Sequence, residues 1–121
     1  NDIAKLMQMY LQEGVYGGKR YFSMDTFKEF NTCHYCDQEN RRGIGFDKPQ
    51  LEEEGPTCGC LSMTSFGHSG FTGTYAWADP EEEIVYVFLA NRTYPESDSN
   101  RLSKENIRTD IQRLIYESII K

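Results

Sequence analysis

The sequence lacks the features that would assign it to several common classes of protein. No window approaches the run of roughly 18 apolar residues that a membrane-spanning helix needs, so no membrane span is expected. Basic residues are in the minority: 13 Lys and Arg against 19 Asp and Glu give a net charge of −6, which disfavours nucleic acid and anionic membranes as partners. The eight Tyr, seven Phe and one Trp argue in turn against a disordered chain.

The sequence also shows no signal peptide, and it opens with Asn rather than Met. We therefore expect a piece of a longer protein, and the missing targeting segment says nothing about that protein's compartment. The 121 residues are enough for one domain with a modest core. With no repeat or linker to divide it, the chain 1–121 is predicted to be a single, partial domain.

The first half of the chain predicts two helices followed by a long loop. Residues 2–13 carry apolar side chains at helical spacing. Ser23 can cap a second short helix that extends to about residue 30, and the Gly-Gly pair before it favours a tight turn. Residues 31–63 show little periodicity and predict a loop with one short strand at 43–46.

The second half predicts an antiparallel meander of three strands, at 65–70, 73–78 and 84–90, followed by a helix capped by Ser103. The helix face expected to cover the sheet carries Ile107, Ile111, Leu114, Ile115 and Ile119. The predicted fold class is therefore α+β: three main antiparallel strands, a C-terminal helix on one face, and N-terminal helices nearby.

The most distinctive segment is His68-Ser69, framed by Gly67 and Gly70. Glycines on both sides of two polar side chains suggest a backbone that another group approaches closely. Taken alone, the same four residues also fit a simple turn between two strands.

With its continuation Phe71-Thr72-Gly73-Thr74, this segment resembles the third signature element of penicillin-recognising serine hydrolases, a Lys/His-Ser/Thr-Gly triplet on an edge strand. Asn91-Arg92 after the next apolar strand resembles the same domain. The resemblance implies the C-terminal part of a β-lactamase-like fold of the class C, esterase or DD-peptidase type. It also implies acyl transfer on a small peptide, ester or amide, with cell-wall material as one candidate source, in a bacterial parent of the periplasm or cell envelope.

The resemblance assigns a role to each residue of the segment. Gly70 would let substrate pair with the strand edge, and the Phe71 backbone N–H would be an oxyanion-hole donor. Ser69 would offer its hydroxyl to a substrate carboxylate or carbonyl. His68 stands where many members have Lys, which favours the esterase-like or peptidase-like branch over recognition of a β-lactam carboxylate.

The nucleophile of this family, a Ser-x-x-Lys pair, has one formal match at 118–121, at the end of a helix where no pocket is expected. The family's Tyr-x-Asn element has no match. Both elements are therefore expected upstream in the same polypeptide, which would be the chain's main partner. The chain alone is predicted to be inactive and to need no cofactor.

The four cysteines, Cys33, Cys36, Cys58 and Cys60, leave three alternatives open. They could bind zinc through four thiolates, remain free thiols, or form disulfides. Because a bridge within 58–60 would be strained, any disulfides are expected to cross between the two pairs. Two alternative functions also stay open: a non-catalytic module stabilised by cysteines or zinc, and a β-lactamase-like appendage of a glycoside hydrolase family 3 type β-N-acetylglucosaminidase.

Overall fold

The chain forms four α-helices and two small antiparallel sheets in a computed structural model that describes residues 2–50, 52, 55–98 and 100–120. In chain order the elements are α1 (Asp2–Leu11), β1 (Val15–Tyr16), β2 (Lys19–Arg20), α2 (Met24–Asn31), β3 (Phe66–Ser69), β4 (Tyr75–Asp79), β5 (Ile84–Phe88), α3 (Arg101–Lys104) and α4 (Ile107–Glu117). A single 3₁₀ turn, Cys36–Gln38, lies between α2 and β3. Among the residues described, no helix has the length and apolar character needed to cross a membrane.

The N-terminal elements agree with the sequence pattern. Helix α1 ends at Leu11, two residues before the predicted boundary. Gly17 and Gly18 both have positive φ and form the turn of the β1–β2 hairpin. The Ser23 hydroxyl accepts a hydrogen bond from the Thr26 backbone N–H at 3.1 Å, which confirms it as the cap of α2.

The main sheet has the strand order β3-β4-β5, and both pairings are antiparallel. This arrangement confirms the predicted meander and the α+β class. In the cross-strand register, Gly67 lies opposite Trp77, and Trp77 lies opposite Tyr86. Strands β3 and β5 are the two outer strands, so each has one side that faces away from β4.

Both faces of the sheet are covered, because successive side chains of a strand point to opposite sides. On one face, Met7 of α1 and Phe27 of α2 pack against Phe66 and Ala78. The other face carries an aromatic cluster, against which Ile115 of α4 packs; its members are Tyr75, Trp77 and Tyr86. The C-terminal helix therefore lies on one face of the sheet, as predicted, and the N-terminal helices, which were expected nearby, lie on the other.

The buried face of α4 differs from the predicted one. Ile115 contacts the sheet as expected, but Leu114 is 64% exposed and Ile111 is also exposed. The most buried residue of the helix is Gln112, which has no exposed surface. The helix also begins later than predicted, at Ile107, and Ser103 lies within the short helix α3.

The loop between α2 and β3 does not contain the predicted strand at 43–46. These residues bend instead, and Gly45 has a φ of 108° that a strand would not adopt. The flanking residues Arg42 and Asp47 form an isolated bridge, and Asp47 forms a second one with Gly67 of β3. The loop thereby reaches the outer side of the sheet.

The cysteines pair within each cluster, as Cys33–Cys36 and Cys58–Cys60. No free cysteine is present, so the predicted cross-cluster bridges and the free thiols are both wrong. The reason is spatial: the first pair follows α2, whereas Cys58 lies against α4, with its N–H donating to Gln112 and its carbonyl accepting from Arg113. The four sulfurs do not converge, and the described residues hold no group of three or more His, Cys, Asp or Glu suited to a metal ion.

Candidate active site

The outer side of β3 is the surface on which the candidate site is built. Gly67 uses this side to pair with Asp47: its N–H donates at 3.1 Å and its carbonyl accepts at 2.8 Å. Hydrogen-bonding direction alternates along a strand, so Ser69 also directs its N–H and carbonyl outward, while the Gly70 N–H donates inward to Thr74 at 2.6 Å. Among the residues that the structure describes, the edge therefore has no main-chain partner at Ser69.

The two polar side chains of the segment lie on opposite faces of β3. The His68 ring is exposed; its Nδ1 lies 2.7 Å from the Ser69 carbonyl oxygen and its Nε2 lies 3.9 Å from an Asp47 carboxylate oxygen. Asp47 in turn accepts from Arg42 Nε at 2.7 Å. The Ser69 side chain is half-buried, and its hydroxyl forms no hydrogen bond with a described residue.

Gly70 and Phe71 lie in the turn that follows the strand. Strand β3 ends at Ser69, one residue before the predicted end, and the Gly73 N–H closes the turn by donating to the Gly70 carbonyl at 2.9 Å. The Phe71 ring is 75% exposed at the tip, with the Arg92 guanidinium carbon 4.7 Å from its centroid. The predicted segment is thus split between a sheet edge and the adjoining hairpin tip.

The two glycines that frame the segment are required for different reasons. A Cβ on Gly67 would lie 2.3 Å from both the Ala76 carbonyl oxygen and the Trp77 ring, so the fold itself needs a glycine there. A Cβ on Gly70 would meet nothing closer than Thr74 at 3.5 Å, an ordinary contact. Packing within the chain leaves the surface at Gly70 clear, and a bound group could approach it there.

A buried layer supports Ser69 from beneath. Tyr75, its cross-strand partner, has no exposed surface, and the Tyr75 hydroxyl donates to Gln112 Oε1 at 2.8 Å. Arg108, one helical turn earlier in α4, lies over the Tyr75 ring and donates to the Gly73 carbonyl at 3.1 Å. Burial raises the pKa of Tyr75 well above its usual value, so Tyr75 is a hydrogen-bond donor and not a base at neutral pH.

Sequence reasoning missed this layer, as well as Asp47. Arg108 and Gln112 are four residues apart, a spacing that places two polar groups on one helix face and could have indicated a shared polar contact. Asp47 gave no such signal, because its role depends on the path of a loop.

Comparison with known proteins identifies the family of the chain. The family model described as "Beta-lactamase" matches residues 2–108. The chain belongs to the beta-lactamase family. Three similar relatives carry the name "Putative D-alanyl-D-alanine carboxypeptidase". Two are from Escherichia coli, strains O157:H7 and K12, and are 35% and 34% identical to this chain over 102 residues. The third is from Salmonella enteritidis and is 33% identical over 95 residues. The alignments cover 83%, 83% and 78% of this chain but only 23%, 23% and 22% of the relatives.

The nucleophile of a beta-lactamase-family enzyme has no counterpart among the described residues. The Ser118 hydroxyl, part of the formal Ser-x-x-Lys match, donates to the Ile115 carbonyl at 2.6 Å, and Lys121 lies outside the described residues. Elsewhere in the described ranges, no Ser or Thr hydroxyl bonds to a Lys or His side chain that could act as its base. The family assignment therefore applies to residues 2–108 and their fold.

Proposed function

We propose that this chain supplies the substrate-binding edge of a serine hydrolase active site, in a protein that transfers acyl groups from a peptide, ester or amide. The observation that carries the proposal is the edge at Ser69, which has no main-chain partner in the described part of the chain and lies next to a glycine that packing does not require. Substrate would lie along β3 as an additional strand, held by main-chain hydrogen bonds.

The geometry suggests which polar groups of the edge are available to bind substrate. The Ser69 carbonyl already accepts from His68 Nδ1, so the Ser69 N–H is the main-chain group left for substrate. The Ser69 hydroxyl would bind a substrate carbonyl or carboxylate. The N–H of Phe71, a residue of the turn after β3, would stabilise the negative charge that develops on the attacked carbonyl.

His68 would serve as a positioning residue in this scheme. A hydrogen bond from Nδ1 to the Ser69 carbonyl fixes a proton on that nitrogen, and Nε2 faces an Asp47 carboxylate oxygen at 3.9 Å. The Arg42–Asp47 pair would hold the ring at the strand edge. A His where many members of the family have Lys favours a peptide or ester substrate over one selected by its negative charge.

The rest of the catalytic machinery would come from other parts of the same polypeptide. The relatives are about four times as long as the matched segment, and they carry the name of a peptidase that acts on D-alanyl-D-alanine. We propose a peptide of this kind as the substrate class, and the periplasm or cell envelope as the location. The two disulfides support an oxidising compartment.

Two reagents test the proposal: p-nitrophenyl acetate for turnover and a fluorescent penicillin for covalent labelling. The 121-residue chain should show neither reaction. A polypeptide that carries the chain within the full length of its relatives should be labelled, and Ser69→Ala should reduce the labelling by about tenfold or more. Ser118→Ala is the matched control and should have no effect. Turnover by the isolated chain that Ser69→Ala abolishes would overturn the proposal.

A further inference from the structure

A groove of about 680 Å³ lies beside α2 and contains no residue of β3 or of the turn after it. Its volume is in the range of small-molecule binding sites. Phe27 and Met63 supply apolar surface, and the Cys33–Cys36 disulfide forms part of the wall.

The charge of this groove is one-sided. Lys28, Arg41 and Lys48 line it, and no Asp or Glu is among its described lining residues. The chain as a whole has a net charge of −6, so three cations without a carboxylate are unusual in it. Like charges that share a partly desolvated site repel one another, and a bound anion would relieve that repulsion.

Lys48 is the buried member of the group, with 7% of its surface exposed. Its ammonium donates to Asn31 Oδ1 at 2.8 Å and to the Thr64 carbonyl at 3.1 Å. Both acceptors are neutral, so one ammonium hydrogen is left over and the charge has no counter-ion among the residues that the structure describes. Burial and, secondarily, the charge of Arg41 lower the pKa of Lys48 to about 8.

Arg41 is held in place by its backbone-facing nitrogen. Its Nε donates to the Pro49 carbonyl, which fixes the plane of the guanidinium. The two terminal nitrogens have no hydrogen-bond partner among the described residues. Such a fork can bind the two oxygens of a carboxylate or phosphate side by side.

We propose that this groove binds a small organic anion, with its carboxylate or phosphate head between Arg41 and Lys48 and its apolar body against Phe27 and Met63. The head group would replace the missing counter-ion of the two cations. Lys28, which is exposed at the rim, would add attraction without a fixed contact. The site is separate from the β3 edge and does not depend on the function proposed for it.

Titration of the 121-residue chain, followed by NMR and calorimetry, tests the proposal with three probes of similar size: benzoate, phenyl phosphate and neutral benzyl alcohol. We expect saturable binding of one or both anions, with a dissociation constant on the order of 1 mM, and none of the alcohol. Arg41→Gln and Lys48→Met should each weaken binding by about tenfold. Lys104→Gln removes an exposed cation elsewhere and should leave the affinity unchanged.

Three results would overturn the proposal. The first is that benzyl alcohol binds as tightly as the anions. The second is that Arg41→Gln and Lys104→Gln bind the anions with equal affinity. Because the second comparison does not use Lys48→Met, it is decisive even if that variant does not fold. The third is loss of binding in the full-length polypeptide, which would show that a protein carboxylate fills the groove. Ser69→Ala should not change binding, so failure here is distinguishable from failure of the β3 edge.

Discussion

The indole ring of Trp77 lies against the backbone of Gly67, so closely that a Cβ on Gly67 would be 2.3 Å from the ring. The contact joins β3 to β4 at the position where β3 also pairs with Asp47 on its other side. Gly67 therefore stabilises the sheet, whereas Gly70, three residues later, has room for a side chain.

Alanine at each glycine should separate stability from function. Gly67→Ala should lower the free energy of unfolding by about 1–3 kcal/mol or more, because the added methyl group overlaps Trp77 and the Ala76 carbonyl. Gly70→Ala should change it little. In the full-length polypeptide, Gly70→Ala should instead reduce penicillin labelling by about tenfold or more. Urea denaturation and labelling of the two variants provide the measurements, and equal destabilisation would contradict the distinction.

Tyr116→Phe should destabilise the chain through Asp79, which is fully buried in β4. The Tyr116 hydroxyl donates to the Asp79 carboxylate at 2.7 Å, and Ser62 donates from both its hydroxyl and its N–H. Burial opposes ionisation of Asp79, but these hydrogen bonds outweigh it and lower its pKa. The loss should be about 1–3 kcal/mol at pH 7.

The pH dependence of this loss gives a second check. Because the pKa of Asp79 is lower in the folded state than in the unfolded state, the stability it contributes is present at neutral pH and lost as the pH falls below about 4. The difference between wild type and Tyr116→Phe should therefore shrink in acid. Tyr35→Phe, at an exposed tyrosine, is the matched control and should show no difference at either pH.

Lys48→Met should remove an alkaline gain in stability. Burial of Lys48 lowers its pKa to about 8, below that of the unfolded chain, so the unfolded state binds more protons between about pH 8 and 10 and wild-type stability rises across that range. The rise attributable to Lys48 should be on the order of 2 kcal/mol. Above pH 10 the raised pKa values of Tyr75 and other buried tyrosines should instead make stability fall as the pH rises. Urea denaturation at pH 8 and 10 checks this, and an equal slope in the variant would contradict it.

Gln112→Leu should destabilise the chain, because two hydrogen-bond donors would lose their acceptor. The Gln112 side-chain oxygen accepts from the Tyr75 hydroxyl at 2.8 Å and from the Cys58 N–H at 3.4 Å, both in a buried setting. Loss of the acceptor should destabilise the chain by about 1–3 kcal/mol. Combining it with Tyr75→Phe should cost less than the sum of the two single changes, by on the order of 1 kcal/mol. Strict additivity in unfolding measurements would show that the bond contributes nothing.

Sequence patterns correctly predicted the three main strands and the cap of α2, which depend on residues close together in the chain. Alternating or continuous β-formers placed β3, β4 and β5, and Ser23 capped α2, because these depend on neighbours a few residues apart. The buried face of α4 could not be predicted in the same way. Apolar periodicity favoured Leu114, but the buried Tyr75 hydroxyl requires an acceptor, and Gln112 takes the buried position to provide it.

The candidate site shows the same division. Its glycine-framed motif was visible in the sequence, and the family resemblance of that motif predicted the edge position of His68 and Ser69. Asp47 and the Arg41–Lys48 groove depend on the course of a loop that has no periodic pattern. The cysteine pairing failed for a related reason, because it depends on how far apart the fold holds the two clusters.

The outer side of β5 is the other border of the main sheet, opposite the edge formed by β3. Strand β5 has a neighbour on only one side within the described residues, and its sequence, Ile84-Val85-Tyr86-Val87-Phe88, is rich in β-branched and aromatic residues. A row of unsatisfied amides and carbonyls on such a strand is a template for further strand addition. Prepared by itself, the chain should tend to self-associate through this border, and a peptide able to occupy the border should keep it monomeric.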